Sequence, residues 1–136
     1  MSCNKVRQYR IGELLKFEFD TSGNLTANPL SLADSIDLGN ADEATITLTV
    51  VHSDVHTGTL RFVLETGAIN ATGYFAATSA AIDVSTDRNA TDPRTQIAHA
   101  SGLSRFLAIS PEVNSNPTSD GTVVCTIDVI VRGCGG

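Results

Sequence analysis

The sequence predicts an all-β protein: a single antiparallel β-sandwich, jelly-roll-like, with about eight strands and an extended N-terminal arm. Three observations lead to this prediction. Thr, Val and Ile are frequent, whereas the Leu-, Ala-, Glu- and Lys-rich stretches typical of helices are missing. Several segments alternate apolar and polar residues with a period of two, and turn residues separate them. A length of 136 residues indicates one domain that can fold without metals or disulfides.

Four strands are expected in the first half of the chain: residues 13–20, 35–38, 44–50 and 59–65. Within 44–50 the three Thr residues are expected to face outward, and continued alternation places His52 on the inward face with Ile46. Residues 53–58 are polar and contain Gly, so we interpret them as a hairpin loop whose return strand is 59–65.

Five further segments of the second half are strand candidates: residues 73–78, 81–85, 95–99, 104–110 and 122–132. Segments 95–99 and 104–110 are expected to pair with each other across residues 100–103, and 111–121 is expected to be a long polar loop. The last strand shows the strongest alternation and places Cys125 on its apolar face. Core packing is expected to centre on seven residues: Phe17, Phe19, Leu48, Phe62, Leu64, Ile127 and Val129.

Charge divides the chain into an arm, residues 1–10, and a single sandwich domain, residues 11–136. The arm carries three basic residues and no acidic one, whereas the rest holds six basic against fifteen acidic residues. Two interpretations remain open: a frayed tail, or an arm that lies along its own domain or adds a strand to a neighbour's sheet. For the second interpretation, four residues are predicted to bind a partner: Lys5, Arg7, Tyr9 and Arg10.

Composition excludes several classes of protein. A net charge of −6 argues against a nucleic-acid surface, which needs a basic stripe. No apolar run approaches the ~18 residues of a membrane span, and the first ten residues lack the apolar stretch of a secretory signal. Trp is absent and only two Tyr are present, so flat aromatic platforms for sugars or bases are scarce.

Three cysteines cannot all pair within one chain. Cys125 lies in a strand pattern as a small apolar residue, while Cys3 and Cys134 lie near the two ends. Reduced thiols in a cytoplasmic environment and a link that involves a terminal cysteine are both open.

Side chains that could carry chemistry are few. The pair His52 and His56 around Asp54 could bind a metal, but a solvated loop explains these residues as well. The serine motif of hydrolases is absent, and the adjacent acids Asp42 and Glu43 fit a solvated strand end. No catalytic residue, cofactor or metal ligand is therefore predicted.

Two stretches resemble small virion proteins of tailed bacteriophages. Residues 44–54 are similar to their pattern of a strand, His-Ser-Asp and a loop. Residues 101–109 resemble their strand with glycine, a basic residue, an aromatic and aliphatic residues, followed here by the polar loop and the closing strand. The resemblance covers residues 44–132, and the first 43 residues match nothing in it.

The resemblance implies a capsid decoration (cement) protein, a non-enzymatic β-sandwich that binds the outside of an icosahedral shell. Its partners would be the major capsid protein and sister copies, most often in a trimer, and it would be assembled in the host cytoplasm. Apolar Val51 and Val63 on otherwise polar strand faces agree with symmetric association. Three alternatives stay open: a tail or head–tail connector component, a cell-surface or carbohydrate-binding module, and a small metal-dependent enzyme.

Overall fold

The structure, a computed structural model, describes residues 5–30, 35–71, 73–90 and 94–134, with the side chains of Lys5 and Cys134 left aside. Within these residues all regular structure is β. The strands are β1 (Lys5–Phe19), β2 (Leu25–Ala27), β3 (Ile36–Asp37), β4 (Asn40–Ser53), β5 (Thr59–Gly67), β6 (Ala76–Ser85), β7 (Thr95–Ala100), β8 (Phe106–Ser115) and β9 (Gly121–Cys134).

The strands form two antiparallel sheets that pack face to face. Sheet A has the order β2-β1-β9-β4-β7, and sheet B has the order β3-β8-β5-β6. Without the short β2, which pairs only with the end of β1, four strands remain in each sheet. The chain passes from one sheet to the other at every connection between consecutive strands except β1 to β2 and β5 to β6. This order is that of a jelly roll, so the predicted fold class is confirmed.

Both predicted hairpins are wrong, because the chain changes sheets at each of them. β4 belongs to sheet A and β5 to sheet B, and β7 and β8 are separated in the same way. Residues 54–58 therefore cross between the sheets, and Val55 is fully buried on the way. Alternation shows which side chains point inward, but it does not show which sheet a strand joins.

The prediction that His52 faces inward with Ile46 is also wrong. A β-bulge between Val50 and His52 interrupts the pairing of β4 with β9, and the extra residue reverses the alternation. Ile46 is buried, whereas Val51 and His52 are exposed and Ser53 is buried. The Thr residues at 45, 47 and 49 face outward as predicted.

Over its described part, the predicted arm lies along its own domain, which is one of the arrangements left open by the sequence, and it does so as part of a strand. Residues 5–10 are the first part of β1 and pair residue by residue with β9, from Lys5 opposite Gly133 to Arg10 opposite Asp128. β9 is long enough to accept them, so its ladder continues across the boundary proposed at residue 10. Residues 1–4 lie outside the described residues.

The predicted loop 111–121 is shorter in the structure, because β8 continues to Ser115. Pro111 lies opposite Phe62 of β5, and β3 reaches only Phe106 and Leu107 on the other side of β8. On the side away from β5, Pro111 thus has no strand neighbour among the described residues, and proline is tolerated at such an edge.

The core lies between the sheets as the alternation predicts. All seven predicted core residues are buried, and Phe17 meets Phe62 edge to face across the sandwich, with ring centroids 5.3 Å apart. From Val123 to Val131, every second residue of β9 is at most 1% exposed. This central strand joins β1 to β4 and holds sheet A together.

Candidate functional site

The four residues predicted to bind a partner lie on β1, but they do not share one face. Arg7 and Tyr9 point toward the space between the sheets and are half-buried. Arg7 donates a hydrogen bond to the carbonyl oxygen of Leu38 at 2.7 Å, and its guanidinium lies 5.7 Å from the Tyr9 ring centroid. Arg10 points outward, and the Lys5 side chain is outside the described residues.

The outer edge of β1 is the feature these residues share. β2 covers this edge only at Glu18 and Phe19, so the described residues give no strand partner to the part from 5 to 17. Two register shifts interrupt the β1–β9 ladder after Arg10, one before Gly12 and one between Gly12 and Leu15. Bulges of this kind commonly protect an edge from unwanted pairing, so the uninterrupted free edge is the segment 5–10.

Leu14 is the most unusual residue of the bulge. Its φ is +59°, a conformation that costs a non-glycine residue energy, and its side chain is 58% exposed. An exposed apolar side chain in a strained conformation gains little from the fold itself. We therefore include Leu14 with the surface that the free edge presents.

A cleft opens beside the free edge, between β1 of sheet A and the β3 region of sheet B. Its volume is about 370 Å³, and six residues line it: Tyr9, Arg10, Ile11, Ser35, Ile36 and Asp37. Apolar Ile11 and Ile36 and the Tyr9 ring lie beside charged groups, which is a mixture suited to an extended segment of protein.

Ion pairs border the cleft on two sides. The Arg10 Nε donates to Asp128 Oδ1 at 2.8 Å across the β1–β9 ladder, and this hydrogen bond raises the pKa of Arg10. Arg105 binds Asp37 through two nitrogens at 3.1 and 3.0 Å. The Arg105 hydrogen bond, with the backbone N–H of Gly39, holds the pKa of Asp37 below its ordinary value. Asp37 therefore stays ionised at neutral pH.

The outer face of sheet A is rich in Thr. Cross-strand pairs place Thr45 beside Ile130 of β9 and His99 of β7, and Thr45 Oγ1 lies 3.0 Å from His99 Nδ1. In another row Thr49 and Thr95 are joined by their hydroxyls at 3.2 Å. The Thr side chains of this face are short, so the part that they cover offers a contact surface of small polar groups.

Apolar residues on this outer face lie mainly on its margins. Val6 of β1 is 60% exposed, Ile97 of β7 is 66% exposed, and Val51 at the β4 bulge is 50% exposed. The exposure of Ile97 could have been predicted from the sequence, because Ile97 alternates with the polar residues Thr95 and His99 and so faces outward with them. It was not among the predicted residues. Val63, noted with Val51 from the sequence, is half-buried on sheet B.

The histidine pair considered for a metal is separated by the fold. His52 lies on the exposed face after the bulge, while His56 lies in the sheet-crossing loop with its Nδ1 3.7 Å from Asp87 Oδ1. Ser53 donates to the carbonyl of Thr86, and the His56 N–H donates to Ser119 Oγ at 2.8 Å. Across the part of the chain that the structure describes, no group of three or more His, Cys, Asp or Glu could hold a metal ion.

Cys125 is fully buried in β9. Burial raises the pKa of its thiol to about 12, because the charged thiolate would lose its hydration. The thiol is therefore protonated at neutral pH and packs as a small apolar group, as its strand position predicts. Cys3 lies outside the described residues.

Few aromatic side chains are available on the surface. Tyr74, in the β5–β6 connection, is 59% exposed, whereas Phe17, Phe19 and Phe62 are buried. Phe106 is half-buried beneath the Arg105 guanidinium, which lies 5.1 Å from the ring centroid. None of the described residues belongs to a helix that is long and apolar enough to cross a membrane.

Comparison with known proteins establishes the fold. No protein-family model matches the chain, and no curated protein matches it. Among solved structures, it is similar to a chain of infectious bursal disease virus (Gx strain), with 11% identity and a TM-score of 0.51 over 98% of this chain and 33% of that chain. At that level of identity the likeness shows a shared β-sandwich.

Two further structures are similar at lower TM-scores. One is CBM28, a carbohydrate-binding module specific for non-crystalline cellulose, with 15% identity and a TM-score of 0.48 over 90% of this chain and 76% of that chain. The other is the SPBc2 prophage-derived protein YomS, with 11% identity and a TM-score of 0.41 over 98% and 97%. This chain spans about a third of the viral chain and about three quarters of the cellulose-specific module.

Proposed function

We propose that this protein is a non-enzymatic virion structural protein that binds the outer surface of an icosahedral phage capsid and reinforces it. The observation that carries the proposal is the jelly roll formed by β1 and β3–β9, a fold shared with a chain of infectious bursal disease virus over 98% of this chain. Jelly rolls are a recurrent fold of viral capsid domains. Because one fold hosts many functions, the surface chemistry has to support the assignment separately.

The exposed sheet faces supply that support. Their short Thr, Ser and Ala side chains suit a broad contact with another protein. The charges also form cross-strand pairs, Arg10 with Asp128 on sheet A and Arg61 with Asp83 at 2.8 Å on sheet B. Such a face makes many weak contacts, and repetition of these contacts over a symmetric shell gives strong attachment.

The proposal is tested on virus particles from the organism that carries the sequence. Antibodies raised against the purified chain are used for gold labelling, and mass spectrometry gives the copy number relative to the major capsid protein. Label over the head with a copy number proportional to capsid subunits supports decoration. Label at the tail or at one vertex selects the tail or connector alternative, and absence of the chain from purified particles refutes a virion role.

A carbohydrate-binding role is the second candidate, favoured by exposed Tyr74 alone. Sugar sites use aromatic faces, so the full chain is titrated with soluble polysaccharides beside a Tyr74→Ala variant. Binding that the variant loses supports this alternative. Equal signals from both proteins exclude Tyr74 as a sugar platform.

A further inference from the structure

The two margins of sheet A are complementary to each other. One margin is the free edge of β1 from residue 5 to residue 10, which ends where the bulges begin. The other margin is β7 (Thr95–Ala100), which pairs only with β4 among the described residues and lies near β6 of sheet B without forming a ladder with it. Each margin is six residues long, so one could add to the other over its full length.

Strand direction allows this pairing. Every neighbouring pair along β1-β9-β4-β7 is antiparallel, so β1 and β7 run in opposite directions. If copies are related by rotation about an axis parallel to the strands, β7 of one copy lies antiparallel to β1 of the next. The outer faces of the two copies then lie on the same side, and the antiparallel sheet continues from copy to copy.

Each margin also carries one large, exposed apolar side chain. Val6 and Ile97 are two of the most exposed large apolar side chains in the described chain, at 60% and 66%, and both point to the outer face. In the full-length antiparallel register, Val6 would lie opposite His99 and Gln8 opposite Ile97. Val6 and Ile97 would then be diagonal neighbours at about 7–8 Å on the same outer face.

Charge distinguishes this pairing from the pairing of β1 with itself. The segment 5–10 carries Lys5, Arg7 and Arg10 and no acid, so two such segments side by side would place like charges together. β7 contains no Lys, Arg, Asp or Glu, and Glu43 lies next to it, 3.7 Å from His99 Nε2. The basic edge therefore meets a neutral strand bordered by an acid.

We propose that this protein assembles with itself through a head-to-tail contact in which the β1 edge of one copy (residues 5–10) adds to the β7 edge of the next. Because the contact joins two different surfaces, it generates rings when the rotation closes. Val6 and Ile97 form the apolar part of the contact. The proposal concerns self-association and holds independently of the virion role.

The experiment measures the mass of the full chain by sedimentation velocity from micromolar to near-millimolar concentrations. Wild-type protein is expected to form a closed oligomer. Val6→Glu and Ile97→Glu change exposed side chains and leave the core intact, and each variant alone is expected to stay monomeric. Val51→Glu is the matched control, since Val51 is exposed on the same face but lies on the central strand β4, and it should assemble like the wild type.

Mixing the two monomeric variants shows whether the contact joins β1 of one copy to β7 of the next or joins identical edges. The Val6→Glu protein keeps its β7 edge and the Ile97→Glu protein keeps its β1 edge, so a mixture should form 1:1 dimers that grow no further. A monomeric wild type, an Ile97→Glu variant that assembles normally, loss of assembly in Val51→Glu, or a mixture that stays monomeric would each overturn the proposal. Circular dichroism with a β spectrum verifies that each variant is folded.

Discussion

Two neighbouring strands of sheet A, β9 and β1, differ in how regular their alternation and pairing are. β9 lies between β1 and β4, and its alternation runs without interruption through five buried residues from Val123 to Val131. β1 pairs with β9 along nearly its whole length but has one free side, and its ladder breaks twice after Arg10. A strand held on both sides keeps its register, whereas a strand held on one side can take up bulges and expose residues such as Leu14.

Substitutions in the centre of the sandwich and at the free edge of β1 are expected to have different effects. In the centre of the sandwich, substitutions should act on the free energy of unfolding. At the free edge of β1 and the cleft beside it, they should act on association and on local ionisation, with smaller effects on the free energy of unfolding.

The largest expected effect is at the centre, at Phe62. Phe62 is fully buried and packs edge to face on Phe17, so Phe62→Ala removes both apolar burial and an aromatic contact. The free energy of unfolding should fall by about 3–5 kcal/mol, measured by urea denaturation. Val63→Ala, the next residue on the outer face, is the matched control and should cost about 0.5–1 kcal/mol. Equal losses for both variants would mean that the inward face of β5 is assigned wrongly.

Prediction from sequence succeeded for the inward faces of the strands. The seven core residues were identified because apolar side chains at every second position can only be buried on one face of a sheet. The sequence did not predict which sheet each strand joins. The turn residues at 54–58 have the same composition whether they close a hairpin or cross from one sheet to the other.

The site was harder to predict than the core. Arg7, Tyr9 and Arg10 were singled out by charge and composition, and the structure places all three at the free edge. Asp37 and Arg105 were not predicted, because they lie 68 residues apart and meet only through the pairing of β3 with β8. The bulges that set His52 and Leu14 outward leave no signal in a period-two pattern.

The second expected effect concerns Cys125 and high pH. Burial raises the pKa of this thiol from its ordinary value near 9 to about 12, so the unfolded chain loses the thiol proton at a lower pH than the folded chain. Deprotonation then favours the unfolded state, and stability falls as pH rises from about 9 towards 12. Relative to Cys125→Ala, which keeps Cys3 and Cys134, the wild type should lose up to about 1.4 kcal/mol per pH unit in this range. Parallel pH profiles for the two proteins would contradict a buried, protonated thiol.

The third effect tests the edge at Tyr9. This residue is half-buried against the core, and its ring stacks with the Arg7 guanidinium. Tyr9→Ala should lower the free energy of unfolding by about 1–2 kcal/mol, between the cost of a core truncation and that of a surface change. Gln8→Ala, an exposed neighbour on the same strand, is the control and should leave stability nearly unchanged. A wild-type unfolding curve for Tyr9→Ala would show that residues 5–10 add nothing to the domain and act as a separate arm.

The smallest effect is expected at the rim of the cleft, where Arg105 binds Asp37. The guanidinium lowers the pKa of Asp37 by stabilising the carboxylate, with help from the backbone N–H of Gly39. A depressed pKa contributes stability above the ordinary value of the carboxyl group, and this contribution disappears as pH falls through the folded-state pKa. Arg105→Gln should therefore raise the Asp37 pKa towards its ordinary value, measured by NMR titration of the side-chain carboxyl carbon.

Arg61→Gln is the control. It breaks a comparable pair with Asp83 on the outer face of sheet B and should leave the Asp37 pKa unchanged. Because both partners at the rim are half-exposed, overall stability should change little at neutral pH. An unchanged Asp37 pKa in Arg105→Gln would show that the Gly39 N–H alone sets the ionisation of the cleft.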